Sequence, residues 1–238
     1  MNLRIEWLEK AGGDTAVVVP VDTPERDCVR NLLLEVSRMK WSMVVVVDSY
    51  PTFNFSRSMN AGIAECLRDD GIKHIALSND DVYDISLPGA IEYLDENDST
   101  FVSPCVNGKS GELGHFSDLV RESIHNRAPL WFWKHLRHMH AMRSIAGGCF
   151  ANTQPFALFR ADTLRTYNFD EGFDMGVEDF ELGMRLHRDG IVGVIRTDWN
   201  VKHGGHETID RMIAAKAVAT DKDRYERNWE HFHAIYGK

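Results

Sequence analysis

Through the first hundred residues, wholly apolar runs alternate with amphipathic stretches. "TAVVVP" (15–20) is apolar from end to end and stopped by proline, which predicts a strand buried on both faces. "TPERDCVRNLLLEVSRM" (23–39) repeats Leu32, Leu33 and Val36 at helical spacing, with Thr23 as the expected N-cap and Pro24 at the first helical position. "SMVVVVDS" (42–49) predicts a second buried strand, and "SRSMNAGIAECLRDDG" (56–71) a helix closed by Gly71. "KHIALS" (73–78), "LPGAIEYLDEN" (87–97) and "TFVSP" (100–104) follow as strand, helix and strand. This alternation predicts an α/β fold with a mostly parallel central sheet flanked by helices.

The second half has a different texture. Residues 105–150 show no clear period before the segment 131–143, "WFWKHLRHMHAMR", which mixes aromatic, basic and histidine residues. "PFALFR" (155–160) reads as a strand, "GVEDFELGMRLHRDG" (176–190) as a helix ending at Gly190, and "GVIRTDWNVKH" (193–203) as extended chain. The tail is helical with a break near 220–223. The expected division is 1–104 for one ligand and 105–238 for another, within one compact unit.

Composition narrows the function classes. At 238 residues, folding buries roughly 70–75% of the surface of the unfolded chain. The formal net charge of −9 argues against a nucleic-acid partner. No apolar stretch reaches the ~20 residues of a membrane span, and "MNLRIEWLEKAGGD" lacks the apolar core of a signal peptide. The four cysteines are far apart with no CxxC pair, which fits free thiols and a cytoplasmic location.

In a sheet of this kind, ligands bind beyond the carboxyl ends of the strands. Asp22, Asp48 and the run Asn79-Asp80-Asp81 each follow directly on a predicted strand. Adjacent acids at a strand end suit a divalent cation that takes its remaining ligands from substrate; an acidic turn is the plain alternative. Glu178, Asp179 and Glu181 cluster in the first turn of a helix, where the helix dipole alone favours carboxylates and where a general base could also stand. His203 precedes two glycines and is either a metal ligand or a surface histidine. Arg57 and Asn60 share a helix face, placed for a phosphate or for an internal salt bridge. His135 and His138 have metal-ligand spacing without an evident third ligand. For 131–143, a packed helix with a basic face, an acceptor platform and a helix in peripheral contact with a membrane surface are the alternatives.

The order of these pieces is more specific than any one of them. "AVVVPVDT", "VVVVDS", "FNFSRSMNAGI", "ALSNDDV", "FDEGFDMGVEDFELGMRLHRDG" and "VKHGG" together resemble the family-2 glycosyltransferases of the GT-A fold, over residues 15–205 apart from 105–150. "FNFSRSMNAG" is also similar to a stretch of related galactosyltransferases. The resemblance implies a GT-A sheet and an inverting hexosyltransferase. It moves sugar from a nucleotide-diphospho-sugar, a UDP-sugar foremost, to the hydroxyl of a carbohydrate or other acceptor, with Mn²⁺ or Mg²⁺. It makes 1–104 the nucleotide-sugar half and 105–238 the acceptor half. It gives Asp81 and His203 the metal, and Asn79 and Asp80 the donor. Pro20, Asp22 and Asp48 fall where the family holds the nucleoside, and Arg57 and Asn60 near the donor. Asp179 matches the catalytic base, and Glu178 an acceptor contact. Two departures stand out: Asp22 replaces a common aromatic, and Ser49 a frequent second acid or asparagine. A sugar nucleotidyltransferase and a non-catalytic nucleotide- or sugar-binding module are the rival readings. The first would need a glycine-rich basic loop after the first strand, which "PVDTPERD" does not supply.

Overall fold

The computed structural model describes residues 3–48, 53–98, 100–106, 148–149, 155–174, 177–194, 196, 198–204 and 221–236. The strands in chain order are β1 (Arg4–Glu9), β2 (Thr15–Val21), β3 (Ser42–Val47), β4 (His74–Ser78), β5 (Val82–Ser86), β6 (Thr100–Val102), β7 (Cys105–Val106), β8 (Gly148–Cys149), β9 (Phe156–Arg160), β10 (Val192–Val194) and β11 (Asn200–His203). The helices are α1 (Asp27–Arg38), α2 (Phe55–Cys66), α3 (Ala90–Glu96), α4 (Ala161–Thr166), α5 (Glu178–Arg188) and α6 (Asp221–Tyr236).

Valine dictates the centre of the molecule. Strands β2 and β3 run parallel with Val17 opposite Met43 and Val19 opposite Val45, and every residue of both is buried. Successive side chains of a strand point to opposite faces, so the same runs feed two cores. Val18, Val44 and Val46 pack with Met59 and Ile63 of α2 and with Leu182 and Leu186 of α5. Val17, Val19 and Val45 pack with Leu32 and Val36 of α1, Leu94 of α3, and Trp199. The large sheet has the order β1-β3-β2-β4-β9-β6-β10-β8. Strands β2, β3, β4, β6 and β10 share one direction, while β1, β8 and β9 oppose it. A second sheet, β5-β11-β7, stands at the carboxyl edge of the first.

Gly62 sets how closely α2 approaches this sheet. A Cβ there would lie 2.3 Å from Val18 Cγ1 and 3.0 Å from Val46 Cγ2. Overpacking of this kind typically costs about 1–3 kcal/mol. Gly62→Ala is expected to lower stability by that amount in urea unfolding; an unchanged midpoint would mean the helix shifts freely.

Several sequence expectations are corrected. Helix α1 begins at Asp27 with Arg26 as its N-cap residue, so Thr23 does not cap it; Arg26 is held instead by Asp22 and Asp80. Helix α2 ends at Cys66, five residues before Gly71, and Gly71 donates its N–H to Asp69 Oδ1 at 3.0 Å in the following turn. The extended stretch 193–203 divides between β10 and β11, which belong to different sheets. Strand β1 was not expected: its half-exposed edge position leaves "RIEWLE" without a buried run. Gly190 does close α5, with φ +85°, where glycine carries no steric penalty. The segment 131–143, with His135 and His138, lies outside the described residues.

Candidate active site

Three strands of the large sheet end in acids. Asp22 follows β2, Asp48 follows β3, and Asn79-Asp80-Asp81 follows β4. Asp22, Asp48, Asp80 and Asp81 are all buried, between 2% and 9% exposed. Buried carboxylates persist as ions only with positive or hydrogen-bonding partners, and those partners reveal what each acid does.

Asp48 faces the start of α2. Its Oδ2 accepts from Arg57 Nη2 at 2.6 Å, Ser58 Oγ at 3.0 Å and the Asn54 backbone N–H at 2.9 Å. Asn54 caps α2, accepting from the Arg57 N–H at 2.8 Å. One carboxylate thus ties the end of β3 to the N-terminus of a helix, whose dipole favours negative charge there. Asn60 looks the other way: its amide donates to the Phe169 carbonyl at 2.9 Å and to Glu171 at 3.0 Å, and accepts from the Phe169 N–H at 2.9 Å. Pro20 lies inside β2, opposite Val46.

Asp80 and Asp81, adjacent in sequence, turn to opposite partners. Asp80 is ion-paired with Arg26, which also faces Asp22 at 3.5 Å. Asp81 Oδ1 lies 3.0 Å from His203 Nε2. The small sheet makes that second meeting: β5 starts immediately after Asp81 and pairs with β11, so Val82 sits opposite His203. The Gly204 N–H then donates to the Asp81 carbonyl at 3.0 Å. Asn79 Nδ2 is 3.3 Å from the same His203 nitrogen, and the buried Asn79 Oδ1 has no hydrogen-bond partner among the described residues. Asp81, Val82, Tyr83 and Gly204 form one wall of a cleft of about 450 Å³, and Arg26, Asp27 and Asn31 form the other.

Asp81 and His203 meet at a direct hydrogen-bond or ion-pair distance, and the same two groups could also serve as ligands of a divalent cation. Neighbouring ligands of an octahedral ion bound at ~2.1 Å stand ~3.0 Å apart, the separation of the carboxylate oxygen and the imidazole nitrogen here. Among the described residues no cluster of three His, Cys, Asp or Glu side chains forms a full cage. Mg²⁺ and its relatives commonly draw part of their ligand set from substrate and water.

Of the acids at the head of α5, Glu181 is fully engaged. It is paired with Arg185 at 2.7 Å and accepts from the Tyr236 hydroxyl at 2.5 Å. Burial, then that hydrogen bond, push the Tyr236 hydroxyl well above its usual pKa. Glu178 is buried and Asp179 half-buried. Val177, just before them, has φ +77°, a conformation costly for a β-branched residue and of the kind that collects at functional sites. The loop leading into this turn is fastened to α2 by Ser56 Oγ on the Phe173 carbonyl, 2.7 Å, and by the Phe55 N–H on the Asp174 carbonyl, 2.8 Å.

No family model and no curated protein matches the sequence. Some solved structures that resemble the chain are glycosyltransferases. One is a Drosophila β-1,4-galactosyltransferase 7 mutant in complex with manganese, UDP-Gal and xylobiose; it is 14% identical, with a TM-score of 0.48, and the match covers 88% of this chain and 78% of that one. Another is S. aureus TarS 1–349, 14% identical, TM-score 0.47, covering 90% and 68%. A third is a glycosyltransferase involved in glycosylation of the PBCV-1 major capsid, 9% identical, TM-score 0.45, covering 85% and 98%. At these scores the likenesses carry no argument about activity.

The structure therefore gathers Asp22 with Asp80, and Asn79 with Asp81 and His203. It sets Asp48 with Arg57, and Asn60 against the 169–171 loop. Sequence reasoning missed Arg26, Asn54 and Ser58. The i, i+4 spacing of Asp22 and Arg26 was the available signal for the first.

Proposed function

We propose that this chain is a metal-dependent glycosyltransferase that moves a hexose from a nucleotide-diphospho-sugar, UDP-linked in the first instance, to an acceptor hydroxyl with inversion. The observation that carries the reading is the Asp81–His203 pair, 3.0 Å apart at the carboxyl edge of the sheet, with Asp81 lining a cleft. Mn²⁺ or Mg²⁺ held there would offset the charge that develops on a departing diphosphate.

The donor lies across the strand ends, with its diphosphate at Asp81 and His203 and with Asn79 and Asp80 beside it. Pro20, Asp22 and Asp48 border the nucleoside. Arg57 and Asn60 act on the donor side through the α2 turn and the 169–171 loop that they hold. Asp179 accepts the proton of the acceptor hydroxyl while that oxygen bonds to the anomeric carbon. The bond from that carbon to the diphosphate oxygen breaks, and nucleoside diphosphate leaves. Glu178 contacts the acceptor. Glu181 is unsuited to the base role because Arg185 and Tyr236 hold its carboxylate.

Incubation with UDP-, GDP-, CDP- and dTDP-hexoses, with Mn²⁺ or with EDTA, tests the reading. Release of one nucleoside diphosphate that requires the metal is expected. Binding of a nucleotide sugar without any release, with every acceptor offered, would favour a non-catalytic binding module.

A further inference from the structure

The stretch "FDEGFD" (169–174) leads into the turn of Glu178 and Asp179, and two helices grip it. From α2, Asn60 holds Phe169, the Asn54 amide donates to the Glu171 carbonyl at 3.0 Å, and Ser56 holds Phe173. From α6, Arg227 and His231 stand at i, i+4, on one face of the helix. Arg227 Nη2 lies 3.2 Å from Asp174 Oδ2, and His231 Nε2 lies 3.0 Å from Asp170 Oδ2. Both pairs are partly open to solvent, and such a pair by itself contributes little. Two further observations single out His231. Its ring meets the fully buried Phe173 edge-on, with centroids 4.7 Å apart and planes at 69°, a favourable aromatic geometry. It also fills the space that a side chain at position 172 would need: a Cβ on Gly172 would lie 2.1 Å from His231 Nε2. The other oxygen of Asp170 accepts the Gly172 N–H at 2.8 Å. Imidazole, glycine and acid are thus fitted to one another, which a chance surface pair would not require.

We infer that α6 latches this loop through His231, and that His231 is a positioning residue for the proton-accepting turn at the head of α5. Val177, at the entrance to that turn, has φ +77°, a conformation that persists only where the surrounding structure imposes it. The loop held at α2 and at α6 supplies that constraint from the N-terminal side. From the other side, the Glu181 N–H donates to the Val177 carbonyl at 2.8 Å, and Tyr236 of α6 holds the Glu181 carboxylate. One helix therefore touches both flanks of the turn. This inference rests on the reading of Asp179 as the base.

Amide hydrogen exchange over residues 170–181 is compared in wild type, His231→Ala, Gly172→Ala and the double variant. Circular dichroism checks folding, and kcat and KM are measured with the UDP-hexose that wild type turns over. His231→Ala is expected to speed exchange of the Phe173 and Glu181 amides by about three- to tenfold, the range for a part-exposed pair with an aromatic contact. It should lower kcat by a similar factor with the donor KM unchanged, while β2 and β3 exchange as in wild type. Gly172→Ala should do the same alone, and nothing more once the ring that its Cβ meets is gone, because both changes break one contact. His231→Gln, which can still donate to Asp170, should restore part of the loss. Wild-type exchange over 170–181 in folded His231→Ala, or additive losses in the double variant, would overturn the latch. Faster exchange at unchanged kcat would make α6 a structural support only and overturn the positioning role. If His231→Ala does not fold, Gly172→Ala decides by the same readings. No turnover of any nucleotide sugar by wild type would overturn the glycosyltransferase reading, and the exchange result would still decide whether α6 latches the loop.

Discussion

Asp179→Asn is expected to reduce turnover by about 10²–10⁴-fold, the usual contribution of a positioned general base, while leaving donor affinity within about twofold of wild type. The asymmetry follows from where the residue acts. Asparagine keeps the shape of the α5 turn but cannot accept the acceptor's proton, and the donor's diphosphate is proposed to lie at Asp81 and His203, which the substitution does not touch. Steady-state kinetics beside calorimetric titration with the nucleoside diphosphate separates the two quantities. Equal loss of turnover and donor binding would mean that Asp179 holds the donor and is not the base. Glu181→Gln offers a contrast. It removes a charge paired with Arg185, so its larger effect should fall on stability.

Asp81→Ala is expected to weaken Mn²⁺-dependent nucleotide binding by at least about 100-fold. Even residues that merely support a metal ligand are worth 10–100-fold in metal affinity, and Asp81 is proposed to be a ligand itself. The variant also removes the partner of His203 at 3.0 Å. His203→Ala should behave alike, and the double variant should be little worse than either single, because the two residues serve one ion. Additive losses would show that they act on separate ligands.

The centre of the sheet was legible because β2, β3 and β4 are apolar runs buried along their whole length. That same reading located Asp22, Asp48 and Asn79-Asp80-Asp81 at strand ends, where they are found. What the sequence could not display was the direction each acid faces. Asp48 turns to a helix N-terminus and its arginine, Asp80 to Arg26 and Asp81 to His203. These choices depend on pairings across 9, 54 and 122 residues of sequence. The small sheet was equally hidden. Strands β5, β7 and β11 are short, β5 is largely exposed and β11 half-buried, so no hydrophobic run announces the sheet, although β11 falls inside the stretch 193–203 read as extended. Yet their register brings His203 beside the acidic turn. The resemblance to a family, carried by motif order, supplied the link between those distant pieces that periodicity could not.

The most direct test is thermal shift with UDP, GDP, CDP and dTDP, each with and without Mn²⁺, on wild type and Asp81→Ala. A ligand at a hundred times its dissociation constant adds about 2.7 kcal/mol of stability. Stabilisation by UDP that requires Mn²⁺ and disappears in Asp81→Ala is the predicted result. Nucleotide stabilisation that is indifferent to Mn²⁺, or that survives in Asp81→Ala, would contradict a metal-nucleotide site at Asp81 and His203.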